Sequence, residues 1–547
     1  MKNKSFKKLI SSLLVVTMVA TMAGGCGSKT SSDKKSEEST ESSSKKVLNW
    51  NVDTEPEALD PMLMGSTAMQ IVNNTFEGLM RTYDGKVIEG IAESYELSDD
   101  ELTYTFHIRD DAKWSDGKDI TADDFIFAWT RMIDPELKNY YGSQFFYIEN
   151  AEKYYNGECT IDEVGFKAVD DKTIEVKLVS PTPYFLSLTA FNIYYPVRED
   201  VADNEGKWSR DPETYVCDGP FTLGEYKAND SLTLVKNDNY WNADKVKLDE
   251  IKVTFISDSS SAMTAYRSGE IDVFKGVPSQ EVAKLQTEDD EFYILPFPGV
   301  EYYVFNMEHK PFTDVRVRQA LSLAIDRTAL VENVTKSGEL PSNGVVPHEM
   351  YLSDGTDFRD AEEDYIYDVT KADTEKAKQL LAEAGYPNGE NFPEVTLTYN
   401  NAGNKKDVAE TIQQMWKENL GINIQLKGVE NEAISDLRNN GDFDIMRHGW
   451  SADYPDAMTF LTVFSEGHYG HFNNEEYNAC ISKARSVTGT ERDQAMLKAE
   501  EILVNEQAAV IPLYEVVDTC MIRDTVKDWD KTGYNGWFFG YTDIESK

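Results

Sequence analysis

Two groups of opposite charge stand six residues apart in one short segment, Phe443-Asp-Ile-Met-Arg-His-Gly-Trp-Ser-Ala-Asp-Tyr-Pro-Asp456: the guanidinium of Arg447 and the carboxylate of Asp453. The segment begins as an apolar strand, turns polar after Gly449 and is stopped by Pro455. A strand running into an irregular loop is the ordinary position of a cleft residue. In a water-poor cleft an ammonium needs a carboxylate partner, and a carboxylate suits the planar fork of an arginine. On the residues alone the plainer readings come first: Asp453 capping a turn before Pro455, and Arg447 in a structural ion pair.

Other chemistries find little support. No GxSxG elbow and no HExxH zinc helix occurs, and His348-Glu349 lacks a second histidine four residues after the first. The adjacent acids Asp123 and Asp124 are poor evidence for catalysis, and there is no P-loop for ATP chemistry. His468 and His471 lie three apart beside Gly467 and Gly470, where histidines are more often loop residues than ligands. No metal or cofactor is expected. Cys159, Cys217, Cys480 and Cys520 are widely spaced with no CxxC pair, so one or two disulfides and single buried thiols remain equal readings.

The elements that must position these groups divide the chain in two. Leu102–Arg109, Thr173–Leu178 and Leu232–Val235 alternate like half-buried strands, so the N-terminal half is strand-rich. After about residue 305 helical spacing takes over, predicting helices over Asp314–Val334, Thr374–Ala384 and Asp407–Asn419, with Gly421 closing the last. Val395–Tyr399, Ile422–Leu426 and Ala509–Tyr514 read as strands between and after them, which makes this half α/β. Thr121 can cap a helix through Ile126, Trp129 and Met132, with Asp123 and Asp124 at its positive end. The aromatic tail Gly536–Tyr541 is expected to return to the first domain.

Residues 1–25 read as an export signal: Lys2, Lys4, Lys7 and Lys8, an apolar stretch from Leu9 to Met22, then Ala23-Gly24-Gly25 before Cys26. This resembles a bacterial lipoprotein lipobox, which implies cleavage before Cys26 and a lipid on its thiol. The apolar run is shorter than the roughly 20 residues that span a bilayer, and 26–46 has the Ser, Lys and Glu content of a solvated tether. The formal net charge of -43 argues against a nucleic-acid partner, since phosphate binding wants clustered Lys and Arg.

An ordered set of motifs resembles the extracellular oligopeptide and dipeptide solute-binding proteins of ATP-driven importers, solute-binding family 5. The set comprises Glu55-Pro-Glu-Ala-Leu-Asp-Pro61, Phe76-Glu-Gly-Leu79, Ala92-Glu-Ser-Tyr-Glu-Leu-Ser98, Tyr104-Thr-Phe-His-Ile-Arg109, Trp114-Ser-Asp-Gly117 and Thr121-Ala-Asp-Asp-Phe125. It continues through Gly219-Pro-Phe221, Asn239-Tyr-Trp241, Phe305-Asn306, the run Pro311–Leu321, Ile325-Asp-Arg327 and Gly449–Asp456, covering essentially the whole chain after the tether.

The resemblance implies an α/β fold of two lobes, periplasmic-binding-protein-like (type II, cluster C), with an extra N-terminal subdomain and a hinge. Lobe 1 is expected from 47–82, 200–304 and 513–547, its extra subdomain from 83–199, and lobe 2 from 305–512. The crossings between lobes are expected near Tyr302–Phe305 and Pro512–Tyr514. It further implies a monomeric, non-enzymatic binder, lipid-anchored outside the cell membrane on a Gram-positive surface. Such a binder delivers short peptides to an ABC permease and its ATPase subunits.

By resemblance, Asp453 holds a peptide's α-ammonium, Arg447 meets its carboxylate, and main-chain groups of Gly449, Trp450 and Ser451 pair with its backbone. Met64 stands where some tripeptide-binding relatives carry an acid, so a preference for a basic side chain does not transfer. Met64 and Met62 are either cleft wall or core. Ser451 replaces a half-cystine of some relatives, so that disulfide is expected to be absent. The alternatives are a nickel-chelate, haem or sugar binder on the same fold, a peptide-sensing lipoprotein, and a surface hydrolase.

Overall fold

Two long antiparallel strands, Phe292–Phe305 and Val510–Ile522, form the spine of an 11-stranded sheet. Beyond the first lie Ile445–Ser451, Thr396–Asn400 and Gln425–Val429; beyond the second lie Val273–Lys275, Val47–Val52, Glu250–Phe255, Ser231–Lys236 and Phe221–Lys227, and the short Leu340–Pro341 also pairs with Val510–Ile522. The computed structural model describes residues 45–63, 65–361, 371–467, 470–532 and 536–545. The leader, Cys26 and the tether up to residue 44, together with Met64 and His468, lie outside the described residues. The two wings of the sheet are the cores of two α/β lobes. A separate four-stranded antiparallel sheet, Ala92–Leu97, Thr103–Ile108, Thr173–Lys177 and Phe166–Asp170, builds a subdomain on the first lobe.

The spine is where sequence chemistry shapes the fold most directly. Phe292–Phe305 carries Pro296 and Pro298, which cannot donate to a ladder. Its pairing with Val510–Ile522 loses register between Pro296 and Val300, and again between Glu301 and Tyr302, where Pro512 sits opposite Tyr302. Each irregularity in the two crossing strands therefore falls at a proline. The fully apolar end of the strand, Tyr302–Phe305, is buried as its pattern predicts.

Many residues of the ordered motifs prove to be scaffold. Asp60 is fully buried and accepts from Arg131 Nη2 at 3.1 Å, Trp208 Nε1 at 3.0 Å and the Met62 amide at 2.9 Å. Thr121 and Asp124 form a capping box on Ala122–Met132, and Trp114 Nε1 donates to Asp124 Oδ2 at 3.2 Å. Arg327 Nε donates to the Pro512 carbonyl at 2.8 Å, tying the helical half to the spine. The aromatic tail does return to the first lobe: Phe539 meets Trp50 edge-on at 5.1 Å, and Asn74 Nδ2 donates to the Trp537 carbonyl at 2.9 Å.

Two expected elements differ. The helix expected over Asp314–Val334 is broken into Val315–Leu323 and Arg327–Leu330, because the Asp326 side chain accepts from the Ala329 amide at 2.7 Å and starts a new N-terminus. The strand expected at Ile422–Leu426 begins only at Gln425, the residue opposite Thr396. The four cysteines Cys159, Cys217, Cys480 and Cys520 are free thiols. Among the described residues no helix is long and apolar enough to cross a membrane.

Asp60→Ala leaves the Arg131 guanidinium buried without its counter-charge. The expected cost is about 3 to 5 kcal/mol of stability, read by denaturant unfolding.

Candidate functional site

The strand Ile445–Ser451 runs antiparallel to the end of the spine, with Arg447 opposite Tyr303, Gly449 opposite Glu301 and Ser451 opposite Gly299. Alternation puts Arg447, Gly449 and Glu301 on one face, with Arg447 and Glu301 as diagonal neighbours. Gly449 leaves the room for their meeting, since a Cβ there would stand 3.1 Å from Glu301 Oε2 and 3.4 Å from Arg447 Nη2. Of this strand, Thr396–Asn400 pairs with Ile445 and Met446 alone, so among the described residues one edge of 447–451 carries no strand partner.

Arg447 grips the buried Glu301 with Nε and Nη2, and Lys405 Nζ reaches the same carboxylate at 3.0 Å. Burial would push the Glu301 carboxyl up, but Lys405 and Arg447 outweigh it and hold the group below its ordinary range. Burial lowers the Lys405 ammonium against the pull of Glu301. Glu339 also faces this cluster, raising the Lys405 ammonium and the Tyr514 hydroxyl. The hydroxyls of Tyr303 and Tyr514, both buried, have no hydrogen-bond partner among the described residues. Lys405 opens the helix Lys405–Leu420, at the end where the dipole disfavours a cation.

Asp453 follows where the strand has ended. Its carboxylate accepts from Gln144 Nε2 at 3.1 Å, and its amide donates to Thr459 Oγ1 at 3.2 Å. No cationic side chain pairs with it among the described residues, and burial alone pushes its carboxyl up to about 7. The turn-capping role belongs to Asp456, whose Oδ1 accepts from the Met458 amide at 2.9 Å while Arg492 clamps both oxygens at 2.9 and 2.7 Å.

The partner of Asp453 comes from the other lobe. Gln144 lies in the turn Tyr140–Phe145 of the subdomain. Beside it Tyr147 Oη meets Tyr454 Oη at 3.0 Å, and Tyr184 stacks on Tyr454 with centroids 4.7 Å apart. The lobes thus meet at Asp453 and Tyr454.

The structure brings Arg447, Gly449, Trp450 and Ser451 onto one strand with Asp453 just beyond it, and it adds Glu301, Lys405 and Gln144, which the sequence reading missed. Glu301 was visible as an acid inside an otherwise apolar strand, and Lys405 as a cation at a helix start. Gln144 had no signal in its aromatic surroundings. Trp450 Nε1 donates to Thr459 Oγ1 at 3.3 Å, so the hydroxyl that receives the Asp453 amide also fixes the indole.

A family model described as bacterial extracellular solute-binding proteins, family 5, matches residues 86–471. Over 537 residues the chain is 35% identical to the oligopeptide-binding protein OppA of Bacillus subtilis, covering 95% of this chain and 96% of that protein. Among solved structures, a periplasmic oligopeptide-binding protein of Borrelia burgdorferi is similar at TM-score 0.79 and 33% identity, covering 92% of this chain and 100% of that one. Listeria monocytogenes OppA bound to peptide is similar at TM-score 0.77 and 28% identity, with the same coverage.

The Asp453 carboxyl is expected to titrate near 7 in protein stripped of bound solute. Carbon-13 NMR of the side-chain carboxyls reads this, and Asp453→Asn removes that titration while leaving the others in place.

Proposed function

The chain belongs to the bacterial extracellular solute-binding proteins, family 5, and we propose that it captures short peptides between its lobes for an ABC permease driven by separate ATPase subunits. The observation that carries this reading is the Asp453 carboxylate, half-buried between the lobes with no cation on it among the described residues. A carboxylate in that state is a site for a cation brought from outside, and a peptide's α-ammonium is one. The peptide-binding relatives support the choice of ligand.

In this reading Asp453 anchors the amino end. The Arg447 guanidinium and Lys405 ammonium, with the hydroxyls of Tyr303 and Tyr514, receive the carboxylate end or an acidic side chain. The strandless edge of Gly449, Trp450 and Ser451 pairs with the peptide backbone as an added strand. Backbone recognition leaves the peptide's side chains free to vary.

Closure uses the two spine strands, with the proline irregularities as hinge. The lobes divide as 47–82, 200–304 and 513–547 with the subdomain 83–199, against 305–512. A ligand drives closure only through contacts it makes better in the closed state, and the amine site lies where the lobes meet. The protein returns its ligand unchanged and is not an enzyme. It works as a monomer outside the cell membrane, held by lipid on Cys26 after removal of residues 1–25, with 26–46 as tether.

Isothermal titration with tri-alanine tests the reading. Asp453→Asn is expected to weaken binding by about 2 to 5 kcal/mol, roughly 30-fold to several thousand-fold. N-acetylation of the peptide is expected to do the same to the wild type. Because the carboxyl must lose its proton before it can pair with an ammonium, wild-type affinity falls as pH drops below about 7, approaching tenfold per unit. In Asp453→Asn that slope is absent. Equal binding of free and acetylated peptide overturns the reading.

A further inference from the structure

The Gln144 amide is half used. Its Nε2 donates to Asp453 Oδ2 at 3.1 Å, while its Oε1 is shut off from solvent and has no hydrogen-bond partner among the described residues. A buried amide oxygen without a donor is costly and calls for an explanation at that position. The main chain around it is firmly held. The Gln144 carbonyl accepts from Tyr194 Oη at 2.7 Å, Phe145 stacks on Tyr194 at 4.1 Å, and Asn139 ties the turn through the Tyr141 amide and the Met62 carbonyl. What remains adjustable is the terminal torsion of the side chain, which is broad and roughly two-fold.

We propose that Gln144 is a specificity-determining residue for the ligand's amino terminus, a second acceptor that the subdomain of lobe 1 presents to the same ammonium that Asp453 of lobe 2 binds. The inference rests on the reading of Asp453 as amine anchor and adds to it a contact from the opposite lobe. In the structure the Nε2 donor stands on Asp453 where an ammonium N–H would stand. When the ammonium takes that carboxylate, a half-turn of the amide brings the orphaned Oε1 to face it. A primary ammonium has three N–H donors and a carboxylate pairing uses one or two, so a donor is left for Oε1. The amine is then shared by both lobes only when they are together, which makes the free amino terminus itself a reason to close.

The test is titration of tri-alanine and of its N,N-dimethyl derivative, which keeps the positive charge but only one N–H, into wild type, Gln144→Met, Gln144→Glu and Asp453→Asn at pH 8. Gln144→Met, similar in length and without acceptor or donor, is expected to weaken tri-alanine about tenfold or more, the size of a hydrogen bond to a charged group. Dimethylation is expected to weaken wild-type binding at least as much and to matter several-fold less in Gln144→Met. Gln144→Glu keeps an acceptor and is expected to bind at least as tightly as wild type, which a merely structural role for the amide would not produce. If Gln144→Met binds tri-alanine like wild type while Asp453→Asn loses it, the inference fails and the anchor stands. If neither variant changes binding, both fall. Equal dimethylation penalties in wild type and Gln144→Met, or a Gln144→Glu protein as weak as Gln144→Met, also overturn the inference.

Discussion

An ionised carboxylate is hard to keep away from water without a cation beside it, and most of the buried acids in the scaffold, among the described residues, have one. Asp60 has Arg131, Glu77 has Arg81, Asp456 and Glu500 have Arg492 and Arg359, and Glu301 has two cations at once. Like the buried Asp218, which accepts from the Glu77 amide, and Asp493, which accepts from Ser353, Asp453 has no cation paired with it among the described residues. Its surroundings remove water and supply only an amide. Asp453 sits at the junction of the lobes, three residues before Asp456, which has the arginine clamp that Asp453 lacks. Under the proposed function, the contrast between two neighbouring acids of one loop separates ligand site from scaffold.

The same loop links recognition to movement. Tyr454, next to Asp453, carries the aromatic contact with Tyr147 and Tyr184 across the cleft. The spine strands join the lobes through main-chain pairing that is irregular where prolines interrupt it. A solute that satisfies the carboxylate adds to the contact at Asp453 and Tyr454 the interaction that favours the closed arrangement.

Local chemistry made part of this legible in the sequence. The capping box at Thr121, the strand Thr103–Ile108 and the C-cap at Gly421 follow from residues within a few positions of one another. The long spine strand was read only at Tyr302–Phe305, because Pro296 and Pro298 broke its alternation, and Asp326 broke a helix that apolar spacing alone made continuous. Arg447 and Asp453 were visible as a charged pair in a strand-to-loop segment, but their partners were not: Glu301 is 146 residues from Arg447 and Gln144 is 309 from Asp453. Whether a buried acid has a counter-charge is a property of the assembled fold, which no local spacing encodes.

The most direct measurement of the central claim is the identity of what the purified protein carries. Mass spectrometry of the material released on denaturation is predicted to give a ladder of short peptides with free amino termini. A single sugar, haem or metal chelate in the cleft would contradict the account.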